Sequence, residues 1–253
     1  MKTKSILITS IAISAIALSS QATNYAGNGA SGFGSSVGSG SLAVTDTANS
    51  LTFTFNRGSG SMNDTLVVYL DTKAGGFNNN STFQDNGDGG RTAISGYNAG
   101  NPSTSLVTFA SGFNADFALS IQNGFIGVFG LASGGNNSLN FQFGAVQSGN
   151  ANDPSYSITL TSAQMSLIGL TAGSGQSFSL VGSLISTSAY RSNETIGSST
   201  TVAGDGSGNA GFNNSQTFTA SNVFTLTSVP EPSSLAFFGL SGAALLVGLR
   251  RRK

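Results

Sequence analysis

Leu51-Thr52-Phe53-Thr54-Phe55 and, further on, Leu66-Val67-Val68-Tyr69-Leu70 carry the fold of this chain. The first run alternates strictly, so Leu51, Phe53 and Phe55 share one face of a half-buried strand. The second is apolar on both faces and reads as an internal strand. Outward from these two, Phe117-Ala118-Leu119-Ser120-Ile121, Leu139-Asn140-Phe141-Gln142-Phe143 and Tyr156-Ser157-Ile158-Thr159-Leu160 alternate in the same way. Phe125 to Leu131, Phe178 to Ile185 and Phe218 to Leu226 read as further strands. Asn123-Gly124 favours a type I′ hairpin turn. Thr161-x-x-Gln164 fits a capping box opening a short helix that carries Met165, Leu167, Ile168 and Leu170. Roughly ten short strands separated by Gly, Asn and Ser turns, with no long helix between them, predict an all-β chain: an antiparallel β-sandwich, jelly-roll-like, over residues 41–228. The 18 Phe residues go mainly to its core. Residues 23–40 are rich in Gly and Ser and read as a flexible leader. The regions 77–100 and 191–211 read as long polar loops.

Composition excludes whole classes of chemistry. The 253 residues contain no Cys and no His. Disulfides, thiol catalysis, Ser-His-Asp catalysis and zinc sites built on His or Cys are therefore absent. Ten cations balance ten anions overall, but Lys2, Lys4, Arg250, Arg251, Arg252 and Lys253 lie at the two ends. Between Thr23 and Ser228, four cations face nine anions, a net charge of −5. Such a surface repels phosphate backbones, so nucleic acid is not an expected partner.

Both ends have the layout of targeting segments. Lys2 and Lys4 precede the apolar stretch from Ile6 to Leu18, and Ser20-Gln21-Ala22 supplies small residues at −3 and −1. This predicts a signal peptide over residues 1–22, with an N-terminal signal helix cut after Ala22 by signal peptidase. At the other end Val229-Pro230-Glu231-Pro232 precedes an apolar run from Leu235 to Leu249 and the cations Arg250, Arg251, Arg252 and Lys253. The prolines enforce an extended handle. As a helix the apolar run reaches about 22–26 Å at ~1.5 Å per residue, a short span for a ~30 Å hydrocarbon core. A transmembrane helix over residues 235–249 is expected, with the terminal cations as a cytoplasmic stop. This order of parts over residues 229–253 resembles the PEP-CTERM sorting signal of bacterial surface proteins. The resemblance implies an exosortase, a membrane transpeptidase, as processing partner. It also implies an exported, inner-membrane-anchored precursor that ends at the cell surface or in an extracellular matrix rich in exopolysaccharide.

Within the domain, Asp85-Asn86-Gly87-Asp88-Gly89-Gly90 is the densest polar cluster. Alternating Asp and Asn oxygens suit a hard cation, and Asp85, Asp88 and a folded-back Asp71 are the candidate Ca²⁺ ligands; a plain surface turn is the other reading. No other cofactor is expected. The segment from Val67 to Gly76, the later Gly87 to Gly96, and Gly112-Phe113-x-x-Asp116-Phe117 resemble β-sandwich domains of the DOMON and family-9 carbohydrate-binding type. That resemblance implies a polysaccharide ligand near the 77–100 loop, with Tyr69, Arg91 and Tyr97 as candidate contacts. Trp is absent, so ring stacking falls to Tyr. The carboxylate pairs Asp85 with Asp88 and Asp71 with Asp116 are the only candidates for glycoside hydrolysis. Nothing around them marks a raised-pKa acid. The expectation is a non-catalytic surface or matrix protein, with a carbohydrate-binding module as the alternative and a glycoside hydrolase as a remote third.

Overall fold

A computed structural model describes residues 20–203, 206–212 and 214–229, with backbone alone at 101–103. In chain order the elements are β1 (Gln21–Ala26), β2 (Ser41–Thr47), β3 (Ser50–Asn56), β4 (Thr65–Asp71), α1 (Gly89–Ser95), β5 (Tyr97–Asn98), β6 (Asn101–Thr104), β7 (Leu106–Thr108) and β8 (Phe117–Ile121). They continue with β9 (Phe125–Gly130), β10 (Asn140–Val146), β11 (Ser155–Thr161), α2 (Ser162–Leu167), β12 (Ser177–Ile185), β13 (Arg191–Ile196), β14 (Ser199–Thr201), β15 (Ser215–Phe218) and β16 (Asn222–Thr225).

Two antiparallel sheets dominate. One has the order β1-β2-β3-β11; the other is β10-β9-β8-β4-β12-β13, with β16 also on β12. Leu51, Phe53 and Phe55 from the first sheet share one buried cluster with Leu66, Val68 and Leu70 from the second. The all-β, antiparallel expectation is thus met. The connectivity departs from a jelly roll, because β1-β2-β3 and β8-β9-β10 are meanders that stay within one sheet.

The doubly apolar β4 has its explanation in a second core. Val67 and Tyr69 point away from the first cluster and pack with Ala93 and Ile94 of α1, Val107 of β7 and Phe218 of β15. One face of the large sheet meets the small sheet; the other is roofed by α1 and by a minor sheet in which β15 pairs parallel to β7.

Several sequence expectations need correction. Residues 23–40 are not a flexible leader. They contain part of β1, and the loop after it winds around the buried Glu194 carboxylate, which accepts from the amides of Phe33 (2.6 Å), Ser35 (3.0 Å), Val37 (2.8 Å) and Gly38 (2.9 Å). The glycines serve close packing there: a Cβ on Gly38 would stand 1.8 Å from the Ala30 carbonyl oxygen. The expected polar loop at 191–211 begins with β13, buried although it reads Arg-Ser-Asn-Glu-Thr-Ile. The 77–100 loop contains α1, capped by Asp88 at one end and by Gly96 in the left-handed region at the other. The run from Phe218 to Leu226 divides between β15 and β16. The β8-β9 hairpin forms, but Asn123 and Gly124 keep negative φ, so its turn is not type I′. The turn carbonyls accept instead from the amides of Gln147 and Gly149, tertiary bonds that override the dipeptide's local preference. The capping box of α2 is present as read, with Thr161 and Gln164 bonded reciprocally.

Among the described residues no helix is long and apolar enough to cross a membrane. Residues 1–19 of the expected signal helix and the whole expected transmembrane helix at 235–249 lie outside the described residues.

Candidate functional site

The roof over the large sheet stops short at its β9-β10 edge, leaving a groove of about 370 Å³. That lies within the ~300–1,000 Å³ range of small-ligand sites. Its apolar part is three phenyl rings. Phe125 (38 % exposed) and Phe141 (46 % exposed) stack at 6.3 Å and 29°, and Phe129 meets Phe141 edge-on at 5.4 Å. Gly144 and Gly127 face each other across the two strands beneath these rings. A Cβ on Gly144 would stand 2.2 Å from Cζ of Phe125, so a bare backbone is what lets that ring lie flat over the strand. Across the groove stand Arg91, Asp88, Ser120 and Gln122.

Arg91 is held from three sides. Its Nε is 3.3 Å from Oδ2 of the buried Asp85, its Nη1 donates to Asp88, and its Nη2 reaches the Leu139 carbonyl at 3.4 Å. Its Cζ lies 5.1 Å from the Phe129 ring centre, a cation–π contact that joins the polar wall to the aromatic floor. Asp85 is itself fixed by the amides of Gly87 (3.0 Å), Asn137 (2.8 Å) and Leu139 (2.9 Å). A buried carboxylate saturated with amide donors in this way anchors the 77–100 loop to the β9-β10 connection.

The sequence candidates are dispersed. Asp85 and Asp88 both turn their oxygens to Arg91 and main-chain amides. Asp71 lies elsewhere, at the end of β4, accepting from the Asn114 amide at 3.0 Å. No group of three or more acidic residues that could hold a metal exists among the described residues. Burial pushes the Asp71 carboxyl above its ordinary range; the Asn114 bond opposes this and the negative Asp116 adds to it. Asp116 is bound to the amides of Thr72 and Lys73, both at 3.0 Å. Tyr69 is buried in the second core, its hydroxyl donating to the Ile94 carbonyl at 2.7 Å. Burial raises its pKa, and the neighbouring Arg191 opposes that rise. Tyr97 sits in β5, half-buried. Of the three candidate ligand contacts, only Arg91 reaches the groove. The sequence pattern of Phe125, Phe129 and Phe141 is that of core strands. Phe129 is buried as that pattern implies, whereas the exposure of Phe125 and Phe141 follows from where the roof ends, which no local pattern records.

The second feature is the exit of the chain. Val229 donates its amide to the Gly173 carbonyl at 2.9 Å, and Ser228 pairs antiparallel with Ser174. Val229 is thus the last residue joined to the domain among those described. The expected processing motif Pro230-Glu231-Pro232 and the basic stop follow it and lie outside the described residues. The profile of the PEP-CTERM protein-sorting motif matches residues 228–253. The chain carries a PEP-CTERM sorting signal. This PEP-CTERM match spans about a tenth of the sequence and leaves the domain itself unassigned. It implies an exported, membrane-anchored precursor with exosortase as its processing partner. No curated protein and no solved structure matches the chain.

Proposed function

We propose that the chain is an exported, non-catalytic protein of the cell surface or extracellular matrix, processed by signal peptidase and then by exosortase, and associated with exopolysaccharide. The observation that carries this reading is the sorting match at 228–253, which begins at the last residues paired to the folded domain. The domain's deeply buried carboxylates support a structural role. Those of Asp46, Asp85, Asp116 and Glu194 bind main-chain amides, which fixes loops rather than exposing an acid or base. The test is Pro230→Ala combined with Pro232→Ala in a host that contains an exosortase. Mass spectrometry should find the wild-type C-terminus trimmed and that of the double variant intact. Identical termini would reject the sorting reading.

The groove favours a second reading, in which the domain holds a neutral saccharide. Stacked, exposed rings offer a flat apolar platform, and Arg91, Asp88 and Gln122 border it with donors and acceptors. Secreted protein should be retarded in gels containing a soluble neutral polysaccharide. Phe141→Ala should weaken that retention about fivefold, the equivalent of ~1 kcal/mol for one lost ring contact. Gly144→Val, which displaces Phe125, should weaken it as well. Equal mobility of all three proteins in every gel would remove the saccharide reading.

A further inference from the structure

Asp46 clasps the C-terminal end of the domain. It is 1 % exposed. Its Oδ1 accepts from the Gln21 amide at 3.2 Å and from the Thr227 hydroxyl at 2.9 Å, and its Oδ2 accepts from the Thr227 amide at 2.6 Å. Gln21 lies on the leader side of the expected cut, so its bond lasts only while the leader is attached, whereas the two Thr227 bonds remain afterwards and hold the chain beside the start of the sorting match. The following residues are docked too: Leu226 donates to the Gln176 carbonyl at 2.9 Å, Ser228 pairs with Ser174, and Val229 donates to the Gly173 carbonyl at 2.9 Å. Pro230 comes next in sequence, with no linker between the docked strap and the motif.

An enzyme that breaks a peptide bond holds the residues on both sides of it extended in its cleft. On the N-terminal side of Pro-Glu-Pro those residues already have partners in the domain. Before Thr227, Ser228 and Val229 enter any cleft, they must leave Asp46, Ser174 and Gly173. The bonds to Asp46 are charge-assisted and buried, so they are the strongest in the strap.

We propose that Asp46 is a positioning residue for sorting: by docking the 226–229 strap it withholds the N-terminal side of the Pro-Glu-Pro motif, and release of Thr227 from Asp46 limits how fast exosortase gains access. This rests on the reading that exosortase processes the tail. The experiment is a pulse-chase of the full-length precursor in a host with an exosortase, comparing wild type, Asp46→Ala, and a variant with a short Gly/Ser insertion between Val229 and Pro230. The insertion leaves the clasp intact and supplies free chain. Both changes should shorten the processing half-time several-fold, and their combination should be no faster than either alone. Processing of Asp46→Ala at the wild-type rate or slower, in a domain still resistant to protease, would overturn the proposal. If Asp46→Ala does not fold, the insertion decides: an unchanged half-time overturns the proposal equally. The Pro230→Ala, Pro232→Ala double variant separates the two levels. Normal processing there removes the sorting reading itself, whereas a block there with wild-type rates in the other variants removes only the role of Asp46.

Discussion

Glu194→Ala lowers the melting temperature of the secreted domain by roughly 10 °C. That figure corresponds to about 4 kcal/mol at ~2–4 °C per kcal/mol for a domain of this size. The cost arises because the carboxylate is the acceptor for four amides of the 33–38 loop. Its bonds to Val37 and Gly38 are buried, where water cannot replace the lost acceptor, and each orphaned donor there costs about 1–3 kcal/mol. The Phe33 and Ser35 amides are half-buried and recover part of their loss from solvent. Thermal unfolding followed by circular dichroism measures the total. Glu194→Gln is the discriminating companion. It keeps one acceptor oxygen and turns an NH₂ toward the remaining donors, so it should recover less than half of the loss. A Glu194→Ala protein melting within 2–3 °C of wild type would show that the loop does not depend on this carboxylate.

Asp85→Ala costs about 3 kcal/mol and opens the groove. The substitution orphans the amides of Gly87, Asn137 and Leu139 and removes the buried partner of Arg91. Removing one member of a buried ion pair typically costs ~3–5 kcal/mol. Here Arg91 is 18 % exposed and keeps Asp88, which places the effect at the lower end. The loss is local, so hydrogen exchange should quicken in 85–91 and 131–139 before it does in β3 or β11. Uniform exchange throughout the domain would contradict this assignment. Asp85→Asn should repair little, because an amide nitrogen would face amide donors.

Local sequence pattern accounts for the two main cores but not for the loops that these carboxylates hold. The alternation of Leu51 to Phe55 and the doubly apolar β4 follow from side-chain hydrophobicity alone, which places them in the core whatever surrounds them. The capping box is equally local, since all its partners lie within four residues. β13 and the 23–40 loop have no such signature. Their order comes from a carboxylate more than 150 residues away in sequence meeting backbone amides, groups that every residue type except proline carries. A polar run beside a glycine-rich run therefore reads as two loops, although together they form a folded unit. The groove was legible by half. The Asp85–Arg91 segment announces itself as a polar cluster, but the exposed Phe rings look like any core alternation until the extent of the roof is known.

The distribution of charge in this domain has a consequence for the medium it can occupy. Both ion pairs among the described residues involve Arg91. The other buried charges are met by main-chain groups and neutral side chains. Glu194 and Asp46 are met by amides, and Arg57 donates to the carbonyls of Gly58, Gly60, Asn152 and Asp153. Arg191, fully buried, binds the Ser105 carbonyl and the Ser183 hydroxyl. Dissolved ions weaken attractions between exposed charges over about 8–10 Å, but they reach buried charge–dipole contacts far less. A domain secured in this way should melt at nearly the same temperature in fresh water and in brine, which suits a protein sent beyond the compartment whose ionic strength the cell controls.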